Sequence, residues 1–469
     1  MSDTKLLIVA DDLTGGLDTG VQFTRQGITV RVVVDPDPSG KWTRTAAQVL
    51  VAVSETRHMP PGDAYETVYR IISAGRQAGI PYFYKKTDSA LRGNIGAELG
   101  AALKASGAEV LSFLPAYPAM NRITVEGCHL IDGVPAAQSV FGSDPFNPVV
   151  ESDVRKLVAS QTDTPVTCDE RCGKGILIVD AQSDEDLRTA GERLFTKGYL
   201  SVSAGCAGFA AFLPDLLGLD RGEVSDSYDL GDGLLVISGS LNPVTMRQIR
   251  FAQKRGFVRI CPKPGQEELF RNGAVQSGEN PASLRCAGSS AAQRCAGFSA
   301  TQSAGSSATP WFGEKWVILD SSEIDPEEEA FRDYMRGKEM DSGEPRILIA
   351  AYLAEILAEI EDSVDGPIKG FYKGFYKGFS EETVMIVGGD TLLSCLRRLG
   401  CRDLEPLAEL FPGVVLSRYR AGGKEKLLIS KSGGFGKESL LADLQEMMKA
   451  ARSREESRED SRAADNEGQ

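Results

Sequence analysis

Three features of the sequence predict an α/β chain of two domains, each a largely parallel sheet with helices on both faces. Aliphatic runs of strand length recur, among them residues 6–10, 49–53 and 384–387. Amphipathic stretches of helix length, such as 64–78, fall between them. A polar, Gly/Asp-rich stretch at 225–233 separates two such series. Continuous apolar strands alternating with helices mark parallel sheets, because crossover helices cover both faces and leave no wet side.

In the first series, strands are expected at 5–10, 30–34, 49–53, 82–85, 109–114, 176–180 and 200–203, with a helical stretch following residues 11–16 through Gln26 and helices at 64–78 and 98–106. In the second, strands are expected at 234–238, 384–387 and 427–429, with helices at 245–254, 391–399 and 438–450. The 469 residues exceed one ordinary core. The expected domains are residues 1–228 and 229–450. The stretch from 115 to 148 reads as a long loop with little regular structure, a form usual for binding loops or lids. Residues 283–308 are Ser/Ala/Gly-rich, and 369–379 repeat Lys-Gly-Phe-Tyr; both read as inserts. The end, 451–469, is dense in Arg, Glu and Asp without an apolar stripe and reads as a disordered charged tail.

Composition narrows the function. A net charge of −14 speaks against a nucleic-acid partner, which needs a cationic face. No apolar run approaches the ~20 residues of a membrane span, and the start lacks a basic-then-apolar leader, so a cytoplasmic location is expected. Two histidines and nine scattered cysteines leave little for a zinc site or a histidine triad. A homo-oligomer remains open.

Ligands of parallel sheets bind beyond the carboxyl ends of strands, where loops meet helix N-termini. Asp11-Asp12-Leu13-Thr14-Gly15-Gly16 follows the first strand, with Asp18 one turn later. Paired carboxylates there can bind hydroxyls, accept a proton or hold magnesium; a single aspartate could equally be a helix cap. Lys85-Lys86-Thr87-Asp88-Ser89-Ala90-Leu91-Arg92-Gly93-Asn94 follows another strand. Cations converging with a carboxylate suit a substrate that carries an acid group and hydroxyls. In the long loop, Arg122 and Asp144 are the candidates. In the second half, Ser238-Gly239-Ser240, Gly388-Gly389-Asp390-Thr391 and Lys431-Ser432-Gly433-Gly434 each close a strand before a helix. Glycine turns of this kind let amides approach a phosphate. GxxxxGK[ST] is absent, which excludes a P-loop enzyme, and no GxGxxG follows the first strand, which disfavours a Rossmann dehydrogenase.

Taken in order, Asp11-Asp12-Leu-Thr-Gly, Lys86-Thr-Asp88-Ser-x-Leu-Arg92-Gly-Asn94, Gly388-Gly-Asp-Thr and Lys431-Ser-Gly-Gly-Phe-Gly436 resemble the four-carbon acid sugar kinase family over about residues 5–445. Asn121 stands where that family has glycine, and Gly16 where it has alanine. The resemblance implies ATP- and divalent-metal-dependent phosphorylation of tetronates such as erythronate, threonate or 3-oxo-tetronates. It places the acid sugar on the N-terminal domain and ATP on the C-terminal one. The expected roles are Asp12 and Asp88 as catalytic groups and Asp11, Lys86, Arg92, Asn94 and Arg122 as substrate ligands. Ser238, Ser240, Gly388, Gly389, Asp390, Thr391, Gly433 and Gly434 are expected on ATP, with Mg2+ bridging its phosphates. A kinase of another polyhydroxy acid and a non-catalytic sensor of sugar acid and nucleotide are the alternatives.

Overall fold

The computed structural model describes residues 3–144, 147–171, 173–225, 227–264, 316–340, 343–365 and 383–467. The two stretches read as inserts, 283–308 and 369–379, lie outside them. The chain divides into two compact units. One comprises Met1–Ser225 with Arg402–Leu410 and Ser417–Arg420; the other comprises Asp226–Cys401 with Phe411–Leu416 and Ala421–Gln469.

The first unit is built on β1 (Leu6–Ala10), β2 (Val30–Val33), β3 (Val49–Val53), β4 (Tyr82–Lys86) and β5 (Val110–Leu114). β1, β3 and β5 bury all of their residues, as strands covered on both faces must. With β9 (Val166–Thr167), β10 (Gly175–Ile178) and β11 (Val202–Gly205) they form a parallel series in the order β2-β3-β1-β4-β11-β5-β10-β9. Since β1 lies between β3 and β4, the loops that follow these three strands open side by side. Helix α1 (Leu13–Thr24) leaves β1, α2 (Pro61–Gln77) precedes β4 and α3 (Ile95–Ser106) precedes β5. α2 starts with Pro61 in its first turn, where a missing N–H costs nothing. Its buried residues Ala64, Val68, Ile71, Ile72 and Gly75 recur at helical spacing. Each large apolar side chain buried in this way contributes about 1.5–3 kcal/mol. A methyl at Gly75 would come within 2.4 Å of Leu7 Cδ2, so the glycine sets how closely α2 lies on the sheet.

Two features of this unit differ from the sequence expectation. The stretch 115–148 contains a three-stranded antiparallel sheet of β6 (Arg122–Val125), β7 (Cys128–Ile131) and β8 (Val134–Pro135). Its turns are Glu126-Gly127 and Asp132-Gly133, all four residues with positive φ, the backbone that two-residue hairpins demand. Those X-Gly pairs were the overlooked signal. The second is β16 (Asp403–Phe411), which joins this sheet from far along the chain. It pairs antiparallel with β2 through Asp403↔Val33 and Leu404↔Val32, and Arg31 Nε donates to Asp403 at 3.0 Å.

The second unit holds β12 (Leu234–Ser238), β13 (Val258–Ile260), β14 (Trp316–Asp320), β15 (Thr383–Val387) and β18 (Lys424–Lys431), while β17 (Val414–Ala421) is divided, its Ser417–Arg420 belonging to the first unit. Its parallel order is β13-β14-β12-β15-β18. Helices Pro243–Lys254 and Gly389–Arg398 follow β12 and β15. The last helix, Leu440–Glu467, carries helical backbone through most of the stretch expected to be a disordered tail. Arg and Glu are good helix formers and recur there at spacings that pair along a helix. Among the described residues, no helix is long and apolar enough to cross a membrane.

Candidate active site

At the ends of β3, β1 and β4 the first unit gathers carboxylates around an arginine. Asp12 caps α1, accepting from Gly15 N at 3.0 Å and from the Thr14 hydroxyl at 2.8 Å. Arg57, beyond β3, donates through Nε to Asp11 Oδ2 at 2.7 Å and through Nη1 to Asp12 Oδ2 at 2.9 Å. Its Nη2 lies 3.7 Å from Asp88. Lys86 Nζ, at the end of β4, stands 3.8 Å from Asp11 Oδ1. A methyl at Gly15 would lie 2.4 Å from Asp12 Oδ1 and 2.6 Å from Lys86 Nζ, so only glycine lets these groups close over the start of α1. The motif is therefore both a helix cap and a charged cluster.

Asp88 accepts from Arg92 Nε and Nη2, each at 2.9 Å, and from the amides of Ala90 and Arg92. Arg92 Nη1 also donates to Asp144 at 3.1 Å. Arg122 on β6 bonds the Ser89 hydroxyl, and both arginines stand 5.1 Å from the Phe141 ring. His129 bridges Thr124 Oγ1 and Ser89 O, and burial pushes its ring down to about 4, so it is a neutral brace. Three buried polar atoms here bond no protein group among the described residues: Asp11 Oδ1, Thr87 Oγ1 and Arg122 Nε.

The charges ionise unequally. Burial alone would push the Asp12 carboxyl up, but Arg57, then Lys86 and the Thr14 hydroxyl, outweigh it and leave it below the ordinary range. Burial likewise opposes ionisation of Asp88, yet Arg92 and Arg57 hold it well below that range.

Not every residue singled out lies free for a ligand. Asn94 Nδ2 donates to Thr56 O and Met59 O, both at 2.8 Å, so this amide pins the loop that carries Arg57. Lys85 pairs with buried Glu98 at 2.9 Å. At the end of β11, a methyl on Gly205 would lie 2.4 Å from Leu114 O, so this glycine serves close backbone packing. Asn121 has φ +53, the left-handed region that glycine adopts freely and asparagine tolerates, which accounts for its place in a family glycine position.

In the second unit the three glycine turns end adjacent strands β12, β15 and β18. A methyl at Gly239 would lie 2.1 Å from Thr391 Oγ1, and one at Gly433 would lie 2.3 Å from Ser240 Oγ. Gly388, with φ +110, opens the helix Gly389–Arg398, and Asn242 caps Pro243–Lys254. Lys431 Nζ donates to Ser432 O at 2.9 Å and to Gly433 O at 3.2 Å, bracing the turn from inside. Thr245 Oγ1 donates to Gly433 O at 2.8 Å. Gln248 holds Phe435 O and Lys437 O, both at 3.0 Å. Asp390 receives both of its bonds from Arg346 Nη1, at 2.8 and 2.9 Å. The Ser238 hydroxyl is buried and bonds no described residue. Orphaned hydroxyl, amide-lined turns and helix starts fit a polyphosphate. Among the described residues no group of three or more His, Cys, Asp or Glu could hold a metal ion.

Residues 6–213 match the family model "Sugar-binding N-terminal domain", and residues 235–441 match "Nucleotide-binding C-terminal domain". D-threonate kinase of Bordetella bronchiseptica is 32% identical over 58% of this chain and 68% of that protein. The chain belongs to the tetronate kinase family. D-threonate kinase of Salmonella typhimurium is 35% identical over 55% of this chain, a match that spans 62% of that relative's length. D-erythronate kinase of Heliobacterium modesticaldum is 28% identical over 53% of this chain and 60% of its own. In fold, a Haemophilus influenzae crystal structure aligns with TM-score 0.58 at 18% identity, covering 94% of this chain and 100% of that one.

Arg57 and Arg346 escaped the sequence reading. Arg57 stands alone in Ser54-Glu55-Thr56-Arg57, with no neighbouring motif. Its only signal was position, just after the β3 strand end that adjoins β1. Arg346 sits in the first turn of the helix Pro345–Asp365, far in sequence from Asp390.

Proposed function

We propose that this protein transfers the γ-phosphoryl group of ATP to a hydroxyl of a four-carbon acid sugar, a tetronate or 3-oxo-tetronate. The observation that carries the reading is the cluster at the ends of β3, β1 and β4. There Lys86, Arg92 and Arg122 stand among Asp11, Asp12 and Asp88. Lys86, Arg122 Nε and the remaining N–H groups of Arg92 would bind the substrate carboxylate; a rigid guanidinium fork suits that planar anion. Asp11 and Asp12 would accept from its hydroxyls, and Asp88 would orient Arg92. In the second unit, amides at Gly388-Gly389 and Gly433-Gly434, with Ser238, Ser240 and Thr391, would hold the ATP phosphates. Arg346 would keep Asp390 from repelling them. Mg2+ would arrive on the β and γ phosphates and screen their charge during transfer.

The test is ADP release with ATP and Mg2+ across D- and L-threonate, D- and L-erythronate and their 3-oxo analogues. Turnover with one or two of these, and none with uncharged four-carbon polyols, is the expected result. Equal turnover of the polyols would remove the acid-binding role of Lys86, Arg92 and Arg122.

A further inference from the structure

We infer that Asp18 is the group that takes the proton from the attacking hydroxyl. The inference rests on the kinase reading and assigns it a base. Asp18 lies one turn beyond Gly15 on α1, and positions three apart share a helix face. That face looks onto the cluster, since a methyl at Gly15 would lie 2.6 Å from Lys86 Nζ.

Four neighbouring aspartates are each engaged by a guanidinium. Asp11 and Asp12 share Arg57, and Asp88 and Asp144 share Arg92. Half-buried Asp18, by contrast, forms neither hydrogen bond nor ion pair through its side chain among the described residues. Lys86 at the end of β4, Arg122 on β6, Asp12 before α1 and Glu409 on β16 act on its charge. Tyr117 and Cys206 also feel its charge.

Burial, reinforced by Glu409 and Asp12 and opposed by Lys86 and Arg122, pushes the Asp18 carboxyl up to about 6. A carboxylate held below its ordinary range by an arginine, as Asp12 and Asp88 are, is a weak base. One poised near the working pH with free oxygens is suited to accept a proton. Environments that push neighbouring carboxylates apart in this manner divide roles between them. Asp12 and Asp88 then bind and orient, while Asp18 reacts.

In the step, the substrate O–H bond breaks and its proton passes to a carboxylate oxygen of Asp18. The freed electron pair bonds to the γ-phosphorus of the nucleoside triphosphate. The bond from that phosphorus to the β–γ bridging oxygen breaks, and the diphosphate leaves with its electrons. Asp18 returns the proton to water before the next turnover.

The experiment compares wild type with Asp18→Asn on whichever tetronate the wild type uses best. Wild-type kcat/KM should fall about tenfold per pH unit below an apparent pKa between about 5 and 7. The asparagine variant should lose that acid limb and about 100-fold or more of kcat. Calorimetric affinity for the tetronate without nucleotide should stay within about threefold, and the unfolding temperature at pH 7 should not fall. A purely structural role would lower affinity and unfolding temperature together and leave the acid limb in place. A variant kcat within about threefold of wild type overturns the assignment. So does a wild-type profile that is flat from about pH 5 to 7, a result that requires no variant to fold. No ADP from wild type with any tetronate overturns the kinase reading itself, a separate outcome.

Discussion

Arg57 spans Asp11 and Asp12 with one guanidinium, so its removal would leave a buried and a half-buried carboxylate unpaired. Breaking a buried ion pair from one side costs about 3–5 kcal/mol. Arg57→Ala should lose stability on that scale, read as a lower midpoint in urea. Arg57→Lys should recover only part of it, because an ammonium cannot fork between two acids. Asp12 and Asp88 have folded-state values below their ordinary 3.8. Their contribution is complete above that value and is lost as pH falls through the lowered ones, which predicts unfolding on acidification below about pH 4. Asp18 has the opposite sign. Its folded value of about 6 lies above 3.8, so its ionised form opposes folding at neutral pH. Asp18→Asn should therefore stabilise the protein at pH 7 by about 1–3 kcal/mol. The gain should vanish below about pH 4, where both states carry the proton, and melting curves at pH 4 and 7 check both halves. At this scale, Asp11, Asp12, Lys86, Asp88 and Arg92 were legible because they crowd into motifs directly after strands. Arg57 was not, since nothing local marks a lone arginine whose hydrogen-bonded aspartates lie more than forty positions away.

At the scale of elements, the glycine turns after β12, β15 and β18 interlock through small side chains. Gly239 lies where any methyl would meet Thr391 Oγ1 at 2.1 Å, and Thr391 is itself buried. Gly239→Ala should force the two turns apart and raise KM for ATP about tenfold or more, while calorimetric tetronate affinity stays unchanged. Loss of both in parallel would mean that the substitution unfolds more than the turns. The turns were visible in the sequence as glycine-rich strand ends. That a glycine of one turn presses on the threonine of another was not, because their adjacency is a matter of strand order. The antiparallel β6–β8 sheet had left a trace in Glu126-Gly127 and Asp132-Gly133, outweighed there by the prolines and short runs around it.

At the scale of the molecule, the first unit is not one continuous segment. β16 arrives from residue 403 onward and covers the β2 edge through a pair of registered residues. A fragment ending at residue 228 would expose β2, a Val-Arg-Val-Val strand of the kind that recruits other edges. Such a fragment should self-associate in size-exclusion chromatography and melt at a lower temperature than the intact chain. A monomeric fragment with unchanged melting would show that β16 contributes no edge protection.

Runs such as Leu6–Ala10 and Val49–Val53 were enough, without coordinates, to settle that parallel sheets form and that charged loops follow their strands. Burial on both faces is a local demand that hydrophobic pattern records directly. Tertiary structure alone decided which of those loops meet, which acids share a cation, and that Asp18 has no ion pair among the described residues. Strand order and the ionisation of neighbouring carboxylates depend on distances between residues remote in the chain. No window of sequence, however strongly patterned, contains those distances.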